Sequence, residues 1–233
     1  MPNEINALIF RDLTADEIEL RIASITDKGL SLLLYKDARC DMNILDETVG
    51  AFNWQRSHSR DNANCIVSIW DQNKGQWVSK EDTGTESNTE AKKGLASDSF
   101  KRACFNWGIG RELYTAPFIW VNADDCKITT RNDGKCVCYD KFKVEALTIT
   151  DKKITGLRIR NQTLKRVIYS FGECEVPIDD LPDDPKEIFK ELNKVINKNG
   201  LNGADLAAMF NLSKTSTAAD LKAALAYARG LVR

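Results

Sequence analysis

The residues of this chain with the clearest chemical character are cations rather than catalysts. Lys101 and Arg102 stand side by side, and Lys92 and Lys93 precede them by roughly two to three helical turns. A row of this kind on one helix suits phosphate neutralisation, and its plainer alternative is an ordinary solvated helix face. Groups for bond-making chemistry are sparse. There is no GxxxxGK[ST] loop to hold a triphosphate, no strand-linked GxGxxG and no G-x-S-x-G elbow. His58 is the only histidine, which leaves little room for a base network. Asp124 and Asp125, with Asp133 beyond, read as solvated loop carboxylates; a two-metal nuclease centre would need converging carboxylates from elsewhere. Cys126, Cys136 and Cys138 can meet in a hairpin. Three thiols without a histidine make a poor zinc site, and buried small apolar side chains are the simpler reading. No catalytic residue, metal or cofactor is expected.

Composition narrows the setting more than the function. With 42% hydrophobic residues the chain can bury a real core. Seven cysteines, an odd number without a CxxC pair, exclude a complete disulfide framework. No apolar run approaches a membrane span and Met1-Pro2-Asn3-Glu4 is no signal peptide, so the cytoplasm is the expected location. Net charge is −1, so any affinity for a polyanion must come from local clustering of basic residues.

Elements must position those cations. Thr14-Ala15-Asp16-Glu17 is a capping box, and Ile18, Ile22 and Ile25 follow at a spacing that predicts a first helix ending at Asp27-Lys28-Gly29. Leu30 to Tyr35 reads as a buried strand. Ile44, Leu45, Val49 and Phe52 predict a second helix. Strands are predicted around Asn53–Ser59, Asn64–Trp70 and Gln76–Asp82, with Asn73-Lys74-Gly75 turning the last pair. A second capping box, Ser87-Asn88-Thr89-Glu90, opens a helix. Its apolar stripe is Ala96, Phe100, Ala103, Cys104 and Trp107, and Gly108 and Gly110 stop it. Three strands and a long helix predict α+β, an antiparallel β-β-β-α core. Residues 126–171 predict further strands, turning at Asn132-Asp133-Gly134 and Asp151-Lys152-Lys153. Three prolines and four aspartates within 176–185 read as a linker. Residues 186–233 then form a small helical module with an apolar set of Leu192, Val195, Ile196, Leu206, Met209, Phe210, Leu221, Leu225 and Leu231. The expected division is thus 1–175, 176–185 and 186–233.

The sheet and its helix carry a resemblance. Val49-Gly50-Ala51-Phe52-Asn53-Trp54, Glu81-Asp82-Thr83-Gly84 and Ala96-Ser97-Asp98-Ser99-Phe100-Lys101-Arg102-Ala103 resemble the annealing core of the Rad52 family. Ser97 through Gly110 is especially similar to its phage and prophage, Sak-like members. The resemblance covers roughly residues 14–110. It implies ATP-independent binding and annealing of single-stranded DNA in homologous recombination, by rings or helical arcs with the DNA backbone in a basic outer groove.

Residue by residue, the resemblance matches Arg21 to a DNA-contacting arginine at the end of a first helix. It matches Tyr35 to a tyrosine before the second helix, Lys101 and Arg102 to paired basic residues on the groove helix, and Lys92 and Lys93 to basic residues near that helix's start. Where the family often has a further basic residue, three positions after Arg102, this chain has Phe105. Arg39, Arg56 and Arg60 are the compensating cations considered. Tyr35 also reads as a strand-end core residue, and Arg21 as a partner for Glu17. Trp54, Trp70 and Trp77 are expected to pack or to meet other subunits. A second basic run includes Lys152, Lys153, Arg158 and Arg160, with the arginines on one strand face. It offers a second site for a strand or duplex, or a plain charged sheet face. By fold-level analogy the C-terminal helices would recruit a host single-strand-binding protein or an exonuclease. The competing functions are a recombination mediator or DNA-end scaffold and, from another class, a metal-dependent nuclease.

Overall fold

The computed structural model describes residues 8–85, 91–213 and 215–231, with backbone alone at 91–93 and 180. It forms two compact units, 1–174 and 175–233, and the mixed α+β architecture read from the sequence holds.

The first unit begins with a 3-10 turn, Ala15–Glu17, closed by the Thr14 and Glu17 capping box. The residues after it form a strand, β1 (Glu19–Thr26), and not the first helix that the isoleucine spacing suggested. Gly29 explains the difference. Its backbone meets Trp120 and the Val121 carbonyl so closely that a β-carbon would lie 2.3 Å from that oxygen. The chain therefore reverses at Asp27–Gly29 and returns as β2 (Gly29–Tyr35), pairing Arg21 with Leu33 and Glu19 with Tyr35. A bulge between Ile22 and Ser24 breaks the alternation, which is why the pattern imitated a helical period.

Helix α1 (Ala38–Val49) follows, capped by Asp37, whose carboxylate accepts from the backbone N–H groups of Arg39 and Cys40. Gly50 ends it at φ +82°, so Phe52, expected on the helix, lies in the turn beyond and is almost wholly exposed. Strands β3 (Trp54–Ser59), β4 (Asn64–Asp71) and β5 (Gln76–Thr83) make an antiparallel sheet in that order. The capping box at 87–90 lies outside the described residues. Helix α2 (Ala91–Trp107) lies against β4 and β5. Phe100, Ala103 and Cys104 meet Cys65, Val67 and Ile69 in the core.

Strand β6 (Ile119–Asn122) joins β2, giving the order β1-β2-β6. Strands β7 (Ile128–Thr130) and β8 (Cys136–Cys138) form a hairpin. The last sheet runs β11-β10-β9 from β9 (Phe142–Thr150), β10 (Lys153–Asn161) and β11 (Arg166–Gly172). Val144, Leu157 and Ile159 extend the same core.

The second unit holds α3 (Pro185–Asn199), α4 (Gly203–Met209) and α5 (Ala218–Gly230). Its interior is Ile188, Leu192, Val195, Leu206, Leu221 and Leu225, joined by Val176 and Leu181 from the segment read as a linker. That segment is tied down: Arg229 donates to the Val176 carbonyl, and Lys222 pairs with Asp183 at 2.8 Å. Met209 and Leu231, expected inside, are exposed. Among the described residues no helix is long and apolar enough to cross a membrane.

Candidate nucleic-acid interface

Helix α2 carries its cations on a frame locked to β5. Asp98 accepts from the Thr85 backbone N–H at 2.9 Å, and Arg102 Nε donates to Asp82 at 3.3 Å. Asn106 donates to the Glu81 carbonyl at 3.0 Å. Gly84 permits this approach, since a β-carbon there would lie 2.4 Å from the Ser99 nitrogen. The acidic-plus-glycine turn and the helix motif are therefore two sides of one contact. The far end of α2 is closed by cations. Lys80 donates to the Asn106 carbonyl at 2.7 Å while lying 4.4 Å over the Trp107 ring. Arg111 donates to the Phe105 and Asn106 carbonyls at 2.6 and 2.8 Å. Positive charge at a helix C-terminus complements the dipole and fixes the last turn.

On this frame Lys101 and Arg102 are half-buried rather than fully outward. Lys101 makes no ion pair among the described residues, whereas Arg102 shares its charge with Asp82. Lys92 and Lys93 stand on the first turn of α2, and their side chains lie outside the described residues.

Beneath the helix is a pair that sequence reasoning passed over. Lys36, buried to 1% exposure, bonds to the wholly buried Asp41 and lies 4.5 Å over the Phe105 ring. Burial pushes the Asp41 carboxyl up to about 6, against the pull of Lys36 and, more weakly, Lys101. The only sequence signal for this pair was a lysine directly after a buried strand, followed by an aspartate within α1.

Arg21 is exposed on β1, not at a helix end. Its proposed partner Glu17 is bonded instead to Arg11, at 2.7 Å. Tyr35 stands across from Glu19, and the hydrogen bond to that carboxylate, with burial, pushes its hydroxyl up to about 12; Arg21 acts on it in the opposite sense. Arg21 and Tyr35 are thus neighbours on adjacent strands, and Tyr35 directly precedes Lys36 in the chain. Arg39 is exposed but paired with its own cap residue Asp37 at 2.9 Å. Arg56 lies 4.7 Å over the Phe100 ring at the sheet edge, and Arg60 holds the β3–β4 turn at φ +52°. Trp54 packs as expected, stacking 6.1 Å from Phe100 and donating to Asp46. Trp70 and Trp77 form an edge-to-face pair 5.5 Å apart and stay partly exposed.

The second basic run has a different character. Arg158 and Arg160 do share one strand face; Arg160 donates to Glu145, which is itself buried, and Arg158 forms an ion pair with the same carboxylate at 2.7 Å. Arg160 also donates to the Lys165 carbonyl. Lys152 pairs with Asp12 at 2.7 Å and donates to the Phe10 carbonyl. Only Lys153 of the four is an exposed cation with no ion pair among the described residues. These charges hold the molecule together.

Asp125 pairs with Arg166 at 3.0 Å. Among the described residues no group of three or more His, Cys, Asp or Glu side chains could hold a metal ion, and no disulfide joins any two cysteines. No curated protein and no solved structure matches the chain. Residues 62–132, which span β4, β5, α2, β6 and β7 and include Lys101 and Arg102 but neither Arg21 nor Tyr35, match the model of the Rad52/22 family double-strand break repair protein, and this supports the Rad52 family for the segment that builds the α2 ridge.

Proposed function

We propose that the chain binds single-stranded DNA and anneals complementary strands without ATP in homologous recombination. In this reading it is no enzyme. It acts as a ring or helical homo-oligomer of the phage or prophage type, in the cytoplasm of a bacterial host. The observation that carries the proposal is Lys101 and Arg102 on a helix fixed by three separate hydrogen bonds to β5 and the turn after it, inside the matched segment. An annealing protein must neutralise phosphates so that two polyanions approach, yet leave the base-pairing edges open. Cations on a rigid helix meet the first need without occupying the bases. Arg21 and Tyr35 extend the surface. Arg39, Arg56, Lys92 and Lys93 are its outer contributors, and Lys153 is what remains of a second site.

The helical unit favours a role for partners as well. It carries a groove of about 520 Å³ lined by Phe189, Leu192, Ile196, Leu206 and Leu221, with Lys186 at its rim. A host single-strand-binding protein or an exonuclease is the partner we assign to it.

The test is annealing of two labelled complementary oligonucleotides without ATP, comparing wild type with Lys101→Ala/Arg102→Ala. Fast pairing by the wild type and slow pairing by the variant are expected. Binding without accelerated pairing would replace annealing by the mediator reading. Magnesium-dependent loss of the substrate would favour a nuclease.

A further inference from the structure

Phe105 replaces the cation that the family resemblance leads one to expect on α2, and the structure shows what stands there instead. Phe105 is one turn after Lys101 on the same helix face. Its ring meets that of Tyr114 edge to face, centroids 5.0 Å apart. Tyr114 lies in the 3-10 turn Arg111–Thr115 and is 69% exposed. No hydrogen bond engages its hydroxyl among the described residues. The pair is flanked by charge on both sides: Lys101 on the helix, and Arg111, whose guanidinium is held on the Phe105 carbonyl. Lys36 adds a third cation beneath the Phe105 ring.

A large exposed aromatic on a short turn, braced by a second ring and bordered by cations, has the elements of a single-strand contact. Bases stack on aromatic faces irrespective of sequence, while neighbouring cations hold the phosphates. We propose that Phe105 and Tyr114 form a stacking platform for a base of single-stranded DNA, held between Lys101 and Arg111. The proposal rests on the DNA-binding reading and deepens it. Stacking uses the face of a base and leaves its pairing edge open, so the platform is compatible with annealing. It also accounts for a groove that lacks a cation at this position: the contact is made by a ring.

The experiment uses the full chain and two labelled strands of equal length, oligo-dT and an abasic oligonucleotide with the same phosphates, over a salt series. Tyr114→Ala is expected to weaken oligo-dT binding by roughly 5- to 150-fold, the range of one base–aromatic stack. Its affinity for the abasic strand and its salt slope should match wild type. Tyr114→Phe, which keeps the ring, should bind like wild type. Equal losses on both strands, a reduced salt slope, or a Tyr114→Phe variant as weak as Tyr114→Ala would each overturn the platform. So would a changed oligomer mass in Tyr114→Ala, which would assign the rings to subunit packing. Lys101→Ala/Arg102→Ala in the same assay separates the two ideas. If it weakens both strands while Tyr114→Ala weakens neither, the groove stands and the platform falls. If wild type binds neither strand, both fall together.

Discussion

Two surfaces of the first unit look alike in sequence and differ in what their cations do. The α2 ridge offers Lys101 and Arg102; β10 and the turn before it offer Lys152, Arg158 and Arg160. On β10 a single buried carboxylate, Glu145, takes both arginines, and Asp12 takes Lys152. On α2, Lys101 has no ion pair among the described residues, and Arg102 gives only part of its charge to Asp82. Clusters of basic residues thus stay largely uncompensated in one place and become an internal brace in the other. Net charge near neutrality makes this local accounting decisive, because no general attraction for a polyanion compensates.

The largest expected effect comes from the cation beneath α2. Lys36→Met leaves Asp41 buried without its partner and should lower unfolding stability by about 3–5 kcal/mol in denaturant titration. Lys36→Met/Asp41→Leu should recover most of that loss. If the double variant stays as unstable as the single, Lys36 is not the engaged cation we describe.

Next is the β10 brace. Glu145→Gln should cost about 1.5–3 kcal/mol, the worth of a hydrogen bond to a charged group, while leaving the salt dependence of DNA binding unchanged. A gain in DNA affinity in this variant would show that Glu145 masks a true second site, and the contrast between the two surfaces would collapse.

The converse holds on α2. Lys101→Ala/Arg102→Ala should reduce the slope of log affinity against log salt by about 1.4 for a single strand, since each lost phosphate contact removes about 0.7. A drop of half that size would mean that Asp82 keeps Arg102 out of the interface.

The smallest effect concerns Arg11, an engaged cation outside both surfaces. Its hydrogen bonds hold the Glu17 carboxyl down at about 2, below its ordinary 4.5. A depressed folded-state value adds stability that is complete above the ordinary value and is lost as pH falls from about 4.5 toward 2. Arg11→Met should therefore flatten the acid limb of the stability profile and change little in its shape near neutrality.

Much of the β-β-β-α core was legible because its signals are local. Asn73-Lys74-Gly75 sets one turn, and the stripe through Phe100 and Trp107 sets the helix. Two of the three resembling motifs proved to be sides of one physical contact, with Asp98 on Thr85 and Arg102 on Asp82. Residues that failed to reveal themselves depend on distant neighbours. The β1 bulge disguised a strand as a helix. Glu145 gave no hint that it would take two arginines. Phe105 registered only as a missing charge, because Tyr114 meets it through a turn whose course the sequence did not disclose. Arg111 was within reach of sequence reasoning: a basic residue directly after a helix-stopping Gly108 and Gly110 is placed to bind the last carbonyls.

Gly84 gives the α2 ridge a further property. Real β-carbons do not approach other atoms within 3.0 Å, so an alanine there, starting at 2.4 Å from the Ser99 nitrogen, would act as a shim of at least about 0.6 Å between helix and sheet. The shim would sit at the N-terminal half of α2, while Lys80 and Arg111 pin the other end. The helix would therefore pivot rather than lift, swinging Lys101 and Arg102 through an arc about the fixed Phe105–Tyr114 pair. The height of the cations over the sheet is gauged by one missing methyl group.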